Sequence, residues 1–248
     1  MSVLSVSLIG IFYLERNDSG LSDYAQLLIF IAERAAQQFS PQLRAGDLMT
    51  EYFNYDELTW PEVADLPRDT PLVLPLGAVY DMNLLTGQLS SPPRIGLLPA
   101  FPFGWRGSGL ALPESIFGAY VANLIGSLRD DGFTCVYCLA PQSLDPQFLA
   151  SRLPPACFII QPTQTPESIF LPADTERGKV ILIPIGHTEQ HGLHLPLSVD
   201  TIIIEAIAAG TADGAPARAW TLPVMPYGVS THRSSFAGTL NAGGRAFE

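Results

Sequence analysis

The chain has 248 residues, of which 47% are hydrophobic and 15% charged. That is enough to bury a sizeable core, as one large domain or two smaller ones. The formal net charge of −11 offers no basic face to phosphates, so a nucleic-acid partner is not expected.

The first residues, "MSVLSVSLIGIFYLERN", have the apolarity of a signal peptide. They lack its basic start and small-residue cleavage site, and the run is too short to span a bilayer. Ser5–Phe12 is expected to be a strand, in a cytoplasmic protein with no membrane partner. Asp23 then opens a helix over residues 23–39, with Gln26 placed as its capping-box partner. Residues 40–70 are acidic and show few periodic cues.

"TPLVLPLGAV" (70–79) is a buried-strand run, and "SSPPRIGLLPAFPFGW" (90–105) reads as a loop feeding a short strand. Over 112–133 the spacing of Ile116, Tyr120, Leu124 and Leu128 predicts a helix. Pro113 suits its first turn and Gly132 its end. "FTCVYCLAP" (133–141) is the next strand. Its Cys135 and Cys138 form a C-x-x-C, but strand geometry turns them to opposite faces, so core cysteines are expected rather than a redox pair. Three cysteines in all is an odd count and argues against a disulfide framework.

Residues 141–176 are proline-rich and read as a connecting segment with one apolar stretch, "ACFIIQP". "KVILIPIG" (179–186) is a strand, "DTIIIEAIAAGTADG" (200–214) a helix, and "AWTLPVMPYG" (219–228) another strand. This alternation predicts an α/β fold, a three-layer αβα arrangement around a mostly parallel sheet. The pattern also repeats. "LLPAFPFG" (97–104) nearly copies "TLPVMPYG" (221–228), and Gly10–Asp23 mirrors Gly186–Asp200. A competing alignment sets "LVLPLGAV" against "ILIPIGHT". A duplication is expected, with domains at 1–150 and 178–248 joined by 151–177.

All four histidines lie in the last third of the chain, at His187, His191, His194 and His232. Three of them fall in "IGHTEQHGLHLPLSVD" (185–200), at the C-terminal end of a predicted strand. That end is where open parallel sheets bind ligands. Glu189 and His191 are two residues apart, so an extended loop turns both the same way. Asp200 sits where a helix N-cap would be. The Gly and Pro between them let the chain fold back, so carboxylate, imidazole and carboxylate converge. That donor set suits Zn²⁺ or Mn²⁺, and a carboxylate can bridge two ions. Taken singly, each residue has a plainer role: Asp200 a cap, Glu189 a surface charge, His187 or His194 a loop histidine or a partner to a ligand.

"PIGHTEQHGLHLPLSVDTIIIEAIA", followed by "LPVMPYGVSTHRSSFAGTLNAGG", closely resembles the start of the creatininase family, metal-dependent hydrolases of cyclic and linear amides. The resemblance runs from about Lys179 to the end, with Ala237 in place of the usual proline. It implies a creatininase-like fold. It also implies Glu189, His191 and Asp200 as metal ligands, with Asp200 bridging, Glu189 on one ion and His191 on the other. His194 matches a family histidine near the site. His232 lies in the loop where relatives place polar residues beside the substrate, offset from the commonest histidine position. These two are the candidate catalytic residues. The family's later Asn-Gly-His loop, and the His and Glu that complete its metal pair, have no counterpart here, and the first half reads as a degenerate copy without ligands.

Three functions follow. The first is a hydrolase of an amide C–N bond using a metal-activated water, either a fragment of a longer enzyme or one completed by another subunit. The second is a non-catalytic metal-binding or assembly module. The third is a structural zinc site, disfavoured because no cysteine lies near the loop. A small-molecule amide substrate is expected. So is either one continuous sheet formed by the two halves or self-association, commonly into hexamers in the family.

Overall fold

Four consecutive buried or half-buried residues, Leu-Val-Leu-Pro at 72–75, set the centre of the fold. The structure is a computed structural model that describes residues 50–77, 82–155, 157–161 and 178–247. The predicted strand at Ser5–Phe12, the helix opened by Asp23 and the Gly10–Asp23 mirror lie outside the described residues.

In chain order the elements are β1 (Glu51–Asn54), α1 (Trp60–Asp65), β2 (Leu72–Pro75), α2 (Met82–Gln88), β3 (Arg94–Leu97), α3 (Glu114–Asp130), β4 (Val136–Leu139), α4 (Pro146–Ala150), β5 (Cys157–Ile160), β6 (Val180–Leu182), α5 (Val199–Gly214), β7 (Ala219–Thr221) and α6 (Gly244–Phe247). The first five strands form one sheet in the order β1-β3-β2-β4-β5, and every pairing in it is parallel. The apolar stretch near residue 157 is its edge strand.

Alternation along the strands places helices on both faces. Leu72, Leu74 and Leu76 pack with Val136 and Cys138 against Phe117, Val121, Leu124 and Leu128 of α3. Val73, on the other face, packs with Ile95, Leu139 and Leu85 of α2. The expected three-layer α/β arrangement with a parallel sheet is therefore present.

α3 ends as predicted. Gly132 has φ +94°, a conformation that favours glycine, and the Gly132 and Phe133 amides donate to the carbonyls of Arg129 and Leu128 at 2.9 and 3.1 Å. Pro113 sits one position earlier than expected, as the residue before the first turn. In the stretch thought irregular, α1 forms behind Thr59, whose amide donates to the Glu62 carboxylate at 2.8 Å. The Thr-x-x-Glu spacing is a capping signal that sequence reading passed over. The cysteines are free, and burial pushes the Cys138 thiol up, and that of Cys157 up to about 12.

β6 and β7 pair in parallel as a separate two-stranded sheet, so among the described residues the two halves do not share one continuous sheet. They join through side chains and loops. Tyr227 stacks on Phe101 at 6.1 Å, the Tyr120 hydroxyl donates to the Tyr227 carbonyl at 2.6 Å, and Asn123 Nδ2 donates to the Ala242 carbonyl at 2.7 Å.

The two halves repeat a pattern of hydrogen bonds. Leu76 bridges Phe101 in the first half, as Ile185 bridges Met225 in the second. Gly77 donates to Phe101 at 3.0 Å, as Gly186 donates to Met225 at 2.8 Å. Leu112 donates to Gly104 at 2.8 Å, as Ala242 donates to Gly228 at 2.9 Å. The two alignments that seemed to compete hold together: "LVLPLG" corresponds to "ILIPIG", and "LLPAFPFG" to "TLPVMPYG". α6 then stands where α3 begins.

Candidate metal centre

The loop that follows β6 is held in place by small residues and by its own backbone. Gly186 lies where an added Cβ would fall 2.5 Å from both Cα and Oγ1 of Thr201. Only glycine lets the strand end abut the first turn of α5, and the Thr201 hydroxyl closes the contact by donating to the His187 carbonyl at 3.1 Å. Asp200 is thereby brought beside the loop. The helix starts one residue earlier than expected, with Ser198 before its first turn. Asp200 is thus inside that turn, where a negative charge is favoured by the helix dipole and the carboxylate need not cap.

The loop itself is extended and alternates. Thr188 and Gln190 are buried on one side. The Thr188 hydroxyl donates to the Pro226 carbonyl at 3.0 Å, the Gln190 amide donates to Thr239 Oγ1 at 3.2 Å, and the Arg233 guanidinium donates to Gln190 Oε1. His187 and Glu189 therefore share the other side. His187 Nδ1 lies 3.2 Å from Glu189 Oε2. A nitrogen of His187, a Glu189 oxygen and an Asp200 oxygen all fall within 4.8 Å of one another, the one such grouping of three or more His, Cys, Asp or Glu among the described residues. His191 joins from a different direction. Its Nδ1 is 3.0 Å from the Glu189 carbonyl and its Nε2 3.2 Å from Asp200 Oδ1. An Nδ1–H donated to that carbonyl leaves the Nε2 lone pair aimed at the Asp200 side.

Asp200 is thus the shared member, with Glu189 and His187 to one side and His191 to the other. Its side chain is 39% exposed against 7% for Glu189, so the site opens to solvent at Asp200. Burial pushes the Glu189 carboxyl up, but the nearby Ser230 hydroxyl, the His187 hydrogen bond and the charges of His187 and His191 outweigh it and hold the group below its ordinary value. The Ser230 hydroxyl is fully buried yet completes no well-formed hydrogen bond, so it acts on Glu189 as a nearby dipole rather than through a closed contact. Two carboxylates, two imidazoles and an unsatisfied buried hydroxyl fit a divalent cation of borderline softness.

His194 lies in the tight reversal between His191 and Leu195, and His232 in the turn after Ser230; both are exposed, and neither belongs to this cluster. His187, read from sequence as a loop histidine or a ligand's partner, does belong to it. The signal was available: His187, Glu189 and His191 follow the same two-residue period.

The first half supplies support. The Leu197 amide donates to the Leu58 carbonyl at 2.9 Å and the Ser198 amide to the Asp56 carbonyl at 3.0 Å, anchoring the crossover that carries Asp200. Trp60 meets Phe236 edge-on at 5.7 Å, and the Gly238 amide donates to Asp131 Oδ2 at 2.8 Å. No sequence pattern announces these contacts.

Carboxylates and imidazoles converging just beyond the C-terminal end of β6 have the form of a site for a divalent cation. The family described as creatinine amidohydrolase matches residues 170–248, so this part of the chain is similar to that family. The chain is 44% identical over 73 residues to a mycofactocin precursor peptide peptidase of Mycolicibacterium smegmatis, covering 28% of this chain and 30% of that protein. It is 45% identical over 73 residues to the protein of the same name from Mycobacterium ulcerans, covering 27% and 29%. The Mycobacterium tuberculosis protein is 42% identical over 74 residues, covering 27% and 30%. The chain thus spans about 30% of the length of these curated relatives. No solved structure matches it.

Proposed function

We propose that this chain takes part in metal-dependent hydrolysis of an amide C–N bond, with Glu189, His191 and Asp200 as ligands and Asp200 shared between two ions. The observation that carries the reading is the double engagement of Asp200: 3.2 Å from His191 Nε2, and grouped within 4.8 Å with Glu189. The donor set favours Zn²⁺ or Mn²⁺ over Mg²⁺ or Ca²⁺, because imidazole nitrogen prefers the softer pair. A divalent cation bound there supplies Lewis acidity and lowers the pKa of a water it holds.

The chain's own residues do the rest. Asp200, the most exposed ligand, faces the approach of substrate. Glu189, buried and held ionised, fixes the negative charge that attracts the cation. His191 keeps its tautomer through the Glu189 carbonyl. His194 and His232 are proposed to meet substrate from the exposed rim, where either can carry a proton. The relatives' name makes a peptide amide one member of the linear-amide class to try, beside creatinine and formamide. The protein is proposed to be cytoplasmic and to self-associate. Among the described residues no helix is long and apolar enough to cross a membrane.

A second reading is a module that binds metal without turnover. It is favoured by the first half, whose described residues hold no cluster of ligands. The test is to strip the protein with chelator, reload it with Zn²⁺ or Mn²⁺, and screen creatinine, formamide and short peptide amides. Hydrolysis that chelator abolishes supports the first reading. Metal binding with no turnover of any amide supports the second. A metal-free protein that cannot be reloaded overturns both.

A further inference from the structure

His187 has two ring nitrogens, and the structure leaves them unequal work. An alanine-like Cβ placed on Gly228 would lie 1.8 Å from His187 Nε2 and 2.1 Å from its Cδ2. The ring therefore occupies the space that a side chain at 228 would fill. Gly228 does not have a positive φ. Its lack of a side chain is thus required by the imidazole and not by backbone conformation. Seated there, the ring turns Nε2 towards the 228 backbone and Nδ1 towards the carboxylates, 3.2 Å from Glu189 Oε2.

That separation has a meaning for a metal. Two ligands at about 2.0–2.1 Å from one tetrahedral ion are about 3.3 Å apart, the edge of the tetrahedron. The His187–Glu189 and His191–Asp200 distances, both 3.2 Å, are edges of that size. The third corner of the first grouping, an Asp200 oxygen, is also within reach. The alternative is that His187 only hydrogen-bonds Glu189 and orients it.

We propose that His187 is a metal ligand through Nδ1 and completes, with Glu189 and Asp200, a three-residue site for one divalent ion of the Zn²⁺ or Co²⁺ kind. His191 serves the opposite side of Asp200. This deepens the metal-centre reading and rests on it. All three ligands of that half-site then come from residues 187–200, the crossover itself.

The experiment uses the full chain, stripped and reloaded with Zn²⁺ or Co²⁺. Binding is followed by competitive titration, the Co²⁺ ligand-field spectrum is recorded, and the number of imidazoles per ion is counted by X-ray absorption on the Zn²⁺ form. Wild type is compared with His187→Asn, His187→Ala, Glu189→Gln and Asp200→Asn, with folding of each checked by circular dichroism. Loss of a residue that merely supports a ligand weakens binding about 10–100-fold. Loss of His187 is expected to weaken it by more than about 100-fold, to alter the Co²⁺ spectrum, and to remove one imidazole from the tightest ion. An unchanged imidazole count and spectrum in folded His187→Asn, while Glu189→Gln and Asp200→Asn still lose metal, overturns the inference and leaves the metal centre standing. A wild type that takes up no metal overturns both.

Discussion

Replacing Gly228 with alanine tests the architecture of the site from outside its ligands. The new methyl would begin 1.8 Å from His187 Nε2, whereas carbon and nitrogen settle at about 3.5 Å. The ring must therefore withdraw by well over an ångström. It is hemmed by Glu189 at 3.2 Å and by the Thr201 contact to its own carbonyl at 3.1 Å, so the backbone cannot simply follow. Overpacking of this kind costs about 1–3 kcal/mol. For a chain of this length that is a fall in melting temperature of about 2–4 °C for each kcal/mol. Gly126→Ala provides the control. It lies mid-helix in α3 with nothing within 4 Å of its added Cβ, and is expected to stabilise by about 0.5–1 kcal/mol. Thermal unfolding of both variants, with Zn²⁺ titration of the folded proteins, makes the comparison. If Gly228→Ala melted with wild type and bound Zn²⁺ as tightly, His187 would not be seated against residue 228 and the reasoning would fail.

Other predictions use different parts of the molecule. Burial raises the Asp56 carboxyl from 3.8 to about 6, so its stabilising contribution is complete below about pH 4 and is lost as pH rises through 6. Denaturant titrations should therefore show Asp56→Asn gaining about 2–3 kcal/mol relative to wild type between pH 4 and 8; parallel curves would refute the assignment. Tyr120→Phe removes the donor to the Tyr227 carbonyl and should cost about 1–3 kcal/mol by urea unfolding, because a buried acceptor is left unpaired. α5 exposes Ile203 at 52% and Ile207 at 56%, one helical turn apart on the same face. Lysine at both helix positions should reduce self-association in light scattering, and an unchanged mass would argue that this face is not what joins copies.

Much of the fold was legible locally. The apolar runs at 70–79, 133–141 and 179–186 each hold a strand, buried in β2 and largely so in β4 but exposed in β6, and the four-residue spacing from Ile116 to Leu128 marks a helix. Glycine was informative where its neighbours forced it, at Gly132 through positive φ and at Gly186 through the helix beside it. What escaped were weakly patterned elements: the short β1, α1 behind Thr59, and α2. The repeated strings gave two rival alignments, because a string comparison cannot show that one string is a strand and the other the segment following its partner strand.

The loop's donor set also came from sequence, since a strand end, a short loop and a following helix bring Glu189, His191 and Asp200 into one crossover. Which atoms face each other was a tertiary matter. His187 enters the cluster because Gly228, some forty residues later, leaves room for its ring, and Asp200 lies between two imidazoles because Leu58 and Asp56 anchor the crossover. Local spacing fixes the direction of a side chain along its own strand. Only packing between distant segments fixes the distance between two side chains to the few tenths of an ångström on which coordination depends.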